Sequence, residues 1–254
     1  MNIQNITPLY NLHQLVPEIN IIAGTPFLLV HDILVLSDLH IGQELTLPGH
    51  HPIVSNYITT LIKSIQIIFN KYVINKIIVT GDIKEHTNTI TIEEQIDLEF
   101  FITQINANNK SIVFIKGNHD KYIENLLRKI NRTETIVEYY KIHDCFLHHG
   151  HYLFPLPSER IIIIGHEHPA YVFKGLNFEK EKLPAFVTLF IQDKFVIILP
   201  SANQNAGVPF PPKDKIHFLS PFLREHGNLQ SLQIYPYNNS IGILHLPKIN
   251  NWNT

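Results

Sequence analysis

Residues 161–169 read Ile161-Ile162-Ile163-Ile164-Gly165-His166-Glu167-His168-Pro169. A short, unbroken apolar run of this kind reads as a strand buried on both faces. A turn accounts for Gly165 and Pro169, but not for two imidazoles one residue apart. In an extended chain, residues i and i+2 share a face with Cα atoms about 6–7 Å apart. His166 and His168 could then each meet one ion of a metal pair spaced about 3.5–4 Å, with Glu167 facing away. The alternative of two histidines four residues apart on a helix, as in zincins, does not fit the spacing.

The same pattern recurs along the chain. The apolar run Ile33–Ser37 leads into Asp38-Leu39-His40, and Ile77–Thr80 into Gly81-Asp82. Ile112–Ile115 leads into Gly117-Asn118-His119-Asp120, and Cys145–His148 into His149-Gly150-His151. Taken singly, each is a turn or a strand end with a solvated side chain. Five in succession are hard to explain as turns. In an open α/β sheet, ligands bind beyond the carboxyl ends of strands, so the five ends can converge. Asp, Asn and His without thiolate suit Mn, Fe or Zn.

Around these runs, Val54–Tyr72 carries apolar residues at helical spacing. Thr91–Asn106 opens on Thr91-x-x-Glu94, a capping-box signature, and Lys121–Ile130 reads as a short helix. Further strands are expected at Asn20–Ala23, Phe27–Val30, Ile136–Tyr139, Tyr171–Lys174, Phe186–Ile191 and Phe195–Leu199. A hairpin is expected from Gln233–Tyr237 and Ile241–His245. The first half is thus βαβαβα and the second mostly β, which predicts an α/β (α+β) protein with sheets buried between helical layers. No linker or repeat interrupts residues 1–254, so one domain is expected, with its chemistry in 38–168 and a β-rich part over 185–250.

Composition narrows the partners. With a net charge of −2 there is no strong basic field for nucleic acid or an anionic membrane. The single cysteine, Cys145, permits no intrachain disulfide and no cysteine-rich zinc site. Neither a signal peptide nor a membrane span is evident, and a cytoplasmic protein is expected. The 16 histidines matter because several stand at strand ends.

The ordered set SDLH, TGDIKE, KGNHD, HHGH and GHEHP resembles the calcineurin-like metallophosphoesterases. DLHIGQE, GDIKE, GHEHPA and LPSANQNAG are similar to the SbcD-related branch of small phosphoesterases. The resemblance implies a four-layer αββα sandwich of two mixed β-sheets flanked by helices. It implies two divalent metal ions, Mn first, with Fe or Zn as alternatives. Asp38, His40, Asp82 and His168 would hold one, and Asp82, Asn118, His149 and His166 the other, with Asp82 bridging. Two divalent cations against two aspartates leave about two positive charges, enough to draw a phosphate ester to a protein of net charge −2. The implied reaction is in-line attack on phosphorus by a metal-activated hydroxide, with His119 as acid and Asp120 raising its pKa or orienting it. Glu85 departs from the family pattern and puts the contact near it in question.

His149 rather than His148 or His151 stands at the lone-ligand position before glycine. His151 and the pair His50-His51 could touch substrate, and Ser201 and Asn203 could wall the site. The favoured reading is a phosphodiesterase of nuclease-like type, acting on nucleic acid or a nucleotide. A phosphomonoesterase and a non-catalytic scaffold of the same fold are the alternatives. The scaffold reading is disfavoured by the presence of His119 and all seven ligand positions.

Overall fold

The computed structural model describes residues 6–7, 19–43, 54–174, 180–203, 206–209, 217–227, 229–238 and 242–243. Its first sheet has seven strands in sequence order: β1 (Ile6–Thr7), β2 (Ile19–Ile22), β3 (Leu28–Val30), β4 (Ile33–Leu36), β5 (Lys76–Thr80), β6 (Ser111–Ile115) and β7 (Thr135–Val137). Strands β1 to β4 pair antiparallel, and β4 to β7 parallel. Each parallel crossover is a helix: α1 (Asn56–Lys71), α2 (Ile92–Asn106) and α3 (Ile123–Lys129).

The second sheet is built on β8 (Tyr139–Ile142), β9 (Cys145–His148), β10 (Ile161–Ile164), β11 (Pro169–Lys174), β12 (Lys180–Ile191), β13 (Lys194–Ile198) and β14 (Val208–Pro209). It runs β14-β11-β12-β13-β10-β9-β8, and β12 also pairs with β15 (Gln233–Asn238), which forms a hairpin with β16 (Gly242–Ile243). Strand β10 is parallel to both β9 and β13. Both sheets are therefore mixed. A fourth helix, α4 (Pro221–His226), covers the outer side of the second sheet.

Side-chain alternation explains the isoleucine run. Ile161 and Ile163 join Val35, Ile78, Val113 and Leu147 in the core between the sheets. Ile162 and Ile164 pack outward with Val196, Ile198, Phe222 and Leu223. On the far side of the first sheet, Leu34, Leu36, Ile77, Val79 and Phe114 meet α1, α2 and α3. The layers are thus helices, sheet, sheet and helix, as expected. The capping box is also present: Thr91 and Glu94 exchange hydrogen bonds of 3.1 and 2.9 Å.

Two expectations are corrected. The single strand expected over Ile136–Tyr139 is two, because the chain leaves the first sheet after Val137 and enters the second at Tyr139. The helix α4 was not anticipated, although Ser220 caps it and Pro221 follows at its first position. At six residues it is too short to show an amphipathic period. Among the described residues, no helix is long and apolar enough to cross a membrane.

Candidate metal centre

The carboxyl ends of β4, β5 and β6 lie at one end of the first sheet, and those of β9 and β10 at the same end of the second. A bridge between Ser37 and Ser201 ties the two sheets there. Backbone bonds then lace the loops together: Asp38 N–H to Gly81 O at 3.1 Å, His40 N–H to Asp82 O at 2.9 Å, and Gly165 N–H to His149 O at 3.0 Å.

Three clusters of donor atoms result, two of them sharing Asp82 and a third made by His40, Glu85 and His119. One donor atom each from Asp38, His40, Asp82 and His168 lie mutually within 4.8 Å, as do those of Asp82, His149 and His166. Asp82 belongs to both. Asn118 Oδ1 stands 3.2 Å from His149 Nε2, beside the second cluster. The structure therefore gathers all seven expected metal-site residues into one centre. His50 and His51 lie outside the described residues.

The route by which these side chains converge differs from strand alternation. Asp38, His40, Asp82, His166 and His168 all have positive φ, between 44° and 68°. They sit in left-handed turns just past the strand ends. Left-handed backbone costs energy for such residues and persists only where the surroundings over-determine it. Gly165 is required by contact rather than by φ. A Cβ there would sit 1.8 Å from Ser37 Oγ and 2.7 Å from Asp38 Oδ2. At Gly117, a Cβ would sit 2.2 Å from Asp82 Oδ1.

The imidazoles are aimed by their other ring nitrogen. His149 Nδ1 donates to Thr80 O at 2.8 Å, and His168 Nδ1 to Ala206 O at 3.2 Å. His40 Nδ1 pairs with Glu85 Oε2 at 2.7 Å. Each leaves Nε2 facing the carboxylates: His168 Nε2 is 2.9 Å from Asp38 Oδ1, and His149 Nε2 is 3.4 Å from Asp82 Oδ1. This is the outer-shell arrangement that orients metal-binding histidines. The centre holds two buried carboxylates against imidazoles, and their ionisation is shifted accordingly. Burial alone would raise the Asp82 and Asp38 carboxyls. The charges of His149 and His168, respectively, outweigh it and hold both below the usual range. Burial would lower His149, but Asp82 above all raises it to about 9. Burial and the His149 charge push His166 down to about 4. Oxygen and imidazole donors converging on buried negative charge fit a dinuclear divalent metal site.

The remaining expected residues fall as follows. His119 N–H donates to Asp82 Oδ1 at 3.0 Å, and its Nε2 is 3.9 Å from Asp82 Oδ2. Its Nδ1 bonds the Glu85 carbonyl. Asp120 does not orient that ring. Its carboxylate accepts from the amides of Ile83 at 2.9 Å, Lys84 at 3.3 Å and Gly117 at 2.8 Å, locking the Gly-Asp loop to the Gly-Asn-His loop. Burial, then the Asp82 charge, raises its carboxyl to about 6. Ser201 Oγ donates to Asp38 O at 2.8 Å, and Asn203 N–H to Ser201 Oγ at 3.1 Å, so this pair buttresses Asp38 from behind. His151 packs beside His149 with tilted rings, centroids 5.2 Å apart. Glu167 does turn away: its carboxylate accepts from Leu219 N–H and Ser220 N–H at 3.1 and 2.7 Å.

Glu85 is the residue whose role the sequence left open. Its carboxylate aims His40 and its carbonyl aims His119. Thr80 and Ala206 act through carbonyls, which every residue type possesses, so no sequence signal marks them.

Comparison with known proteins accords with this geometry. No curated protein matches the chain. Among solved structures, the nuclease MPE of Pseudomonas putida is similar with a TM-score of 0.60 at 17% identity, covering 89% of this chain and 94% of that one. At that identity the likeness speaks for the fold. The family model of the calcineurin-like phosphoesterases matches residues 31–186, well over half of the chain and across every cluster above. The chain belongs to the calcineurin-like phosphoesterase family.

Proposed function

We propose that this protein is a dinuclear, Mn-dependent phosphodiesterase of nuclease type, a single catalytic domain acting in the cytoplasm. The observation that carries the reading is the pair of donor clusters sharing Asp82, with His119 beside the shared carboxylate. The diester preference draws on the SbcD-like motifs and on the nuclease of similar fold. Asp38, His40, Asp82 and His168 would hold one cation, and Asp82, Asn118, His149 and His166 the other. When bound, two divalent cations supply water activation and neutralise charge on the phosphoryl oxygens.

The chain's own residues do the rest. Thr80, Ala206 and Glu85 hold three imidazoles with Nε2 inward. His119, its Nδ1 engaged by the Glu85 carbonyl, is left with Nε2 for the substrate. As imidazolium it gives that proton to the oxygen that leaves when the P–O bond breaks, while water supplies the new P–OH. Asp120 fixes the backbone on which Asn118 and His119 stand.

The test is a matrix of Mn, Zn, Fe and Mg against bis-p-nitrophenyl phosphate, p-nitrophenyl phosphate, cyclic nucleotides and single- and double-stranded DNA. Diester hydrolysis that needs added metal supports the reading. Preference for the monoester overturns the diester assignment. Inactivity with every metal, with no metal bound by elemental analysis, leaves the scaffold.

A further inference from the structure

We propose that a strip of aromatic side chains leading away from the metal centre binds the bases of a single-stranded nucleic acid; the proposal rests on the phosphodiester reading above. The strip starts at His151, whose ring lies 6.3 Å from that of His166. Tyr152 packs against His151 with tilted rings at 3.8 Å, Phe154 meets Tyr152 edge-on at 6.5 Å, and Tyr139 meets Phe154 edge-on at 6.2 Å. Two segments supply it: the loop after β9 and the edge strand β8. No linear stretch of sequence therefore displays it.

Exposure and support are both unusual. Tyr152 is 54% and Tyr139 46% exposed, and they are the two exposed tyrosine or phenylalanine rings among the described residues. Leu153, 58% exposed, lies between Tyr152 and Phe154 in the chain. Yet the rings are not loose. Tyr139 lies nearly flat on buried Phe146 at 5.2 Å, and Phe154 packs on Phe146 at 5.8 Å and on buried His148 at 4.8 Å. Rigid aromatic faces held open to water, continuous with a phosphoester centre, suit the flat faces of unpaired bases. A duplex keeps those faces stacked inside itself.

Charge adds little along the strip. Lys141, its ammonium 5.7 Å from the Phe146 ring, is paired with Glu159 at 2.8 Å. Phosphate attraction is therefore concentrated at the metal centre, and binding along the strip falls only weakly with added salt.

The experiment compares a labelled oligothymidylate with an abasic strand of the same length by fluorescence anisotropy, alongside cleavage of both and hydrolysis of bis-p-nitrophenyl phosphate. The wild type binds the base-bearing strand more tightly. Tyr152→Ala and Tyr139→Ala each weaken that binding roughly 5- to 150-fold, as loss of one stacked base predicts. They leave the abasic strand and bis-p-nitrophenyl phosphate unchanged, while Tyr152→Phe and Tyr139→Phe stay within about twofold of wild type. Equal binding of the two strands by the wild type, or loss in the Phe variants equal to that in the Ala variants, overturns the strip. Failure to hydrolyse any diester while the base-dependent binding persists instead removes the phosphodiesterase reading and leaves the strip standing.

Discussion

Glu85 gives the sharpest test of how the centre is held. Its carboxylate bonds His40 Nδ1 at 2.7 Å, and this leaves His40 Nε2 facing Asp82. Glu85→Ala removes the carboxylate but keeps the backbone carbonyl on His119, so it separates the two roles. A charge-assisted hydrogen bond is worth about 1.5–3 kcal/mol. The Glu85 side chain is 30% exposed, which places the loss at the low end, about 1.5 kcal/mol or a little over tenfold in affinity. Affinity at the proposed cation site that includes His40 should weaken by that factor, and affinity at the proposed site of His149 and His166 should not. Glu85→Gln keeps an acceptor oxygen and should fall between wild type and Ala. The assay is competition with a chelator followed site by site, with activity restored in excess metal. Unchanged affinity in Glu85→Ala, or equal weakening at both sites, would refute the argument.

Three further outcomes follow from the same geometry. His119→Ala lowers turnover roughly 100- to 10,000-fold with metal content near full; unchanged turnover would exclude it as the acid. Gly165→Ala drives a methyl into Ser37 and Asp38, so melting should fall by about 2–12 °C, with metal content reduced as well; calorimetry with metal analysis checks both. Metal binding releases protons, because His149 is held near 9 in the metal-free centre and must be neutral to ligate. The sign is then set: affinity rises with pH until about 9 and levels off above it, whereas His166, pushed down to about 4, adds no proton near neutrality. Titration in buffers of different ionisation enthalpy measures the release, and its absence would contradict the assignment.

Strand ends and chemistry were legible in the sequence because both rest on residue type. Ile161–Ile164 alternates between two cores and so needs apolar residues throughout, while Asp38, His40, Asp82, His166 and His168 have side chains no turn demands. The backbone beneath them was not legible. Extended geometry was the simplest way to place His166 and His168 together, but both adopt left-handed turns. That conformation is imposed by long-range bonds, such as His40 N–H to Asp82 O. The resemblance implies Asp120 as the residue that tunes or orients His119. The partner is Glu85, thirty-four residues away. The strand switch at Glu138 left no mark either, since one charged residue between Ile136-Val137 and Tyr139-Tyr140 fits a continuous strand as well as a break.

Two cations sharing Asp82 can be counted by titrating metal-free protein with Mn while following bound metal and bis-p-nitrophenyl phosphate hydrolysis together, in wild type and Asp82→Asn. The expected result is two ions per wild-type chain, activity that rises with the second, and weakened binding at both sites with lost activity in Asp82→Asn. Full activity at one ion, or an Asp82→Asn variant that retains both ions and wild-type turnover, would contradict it.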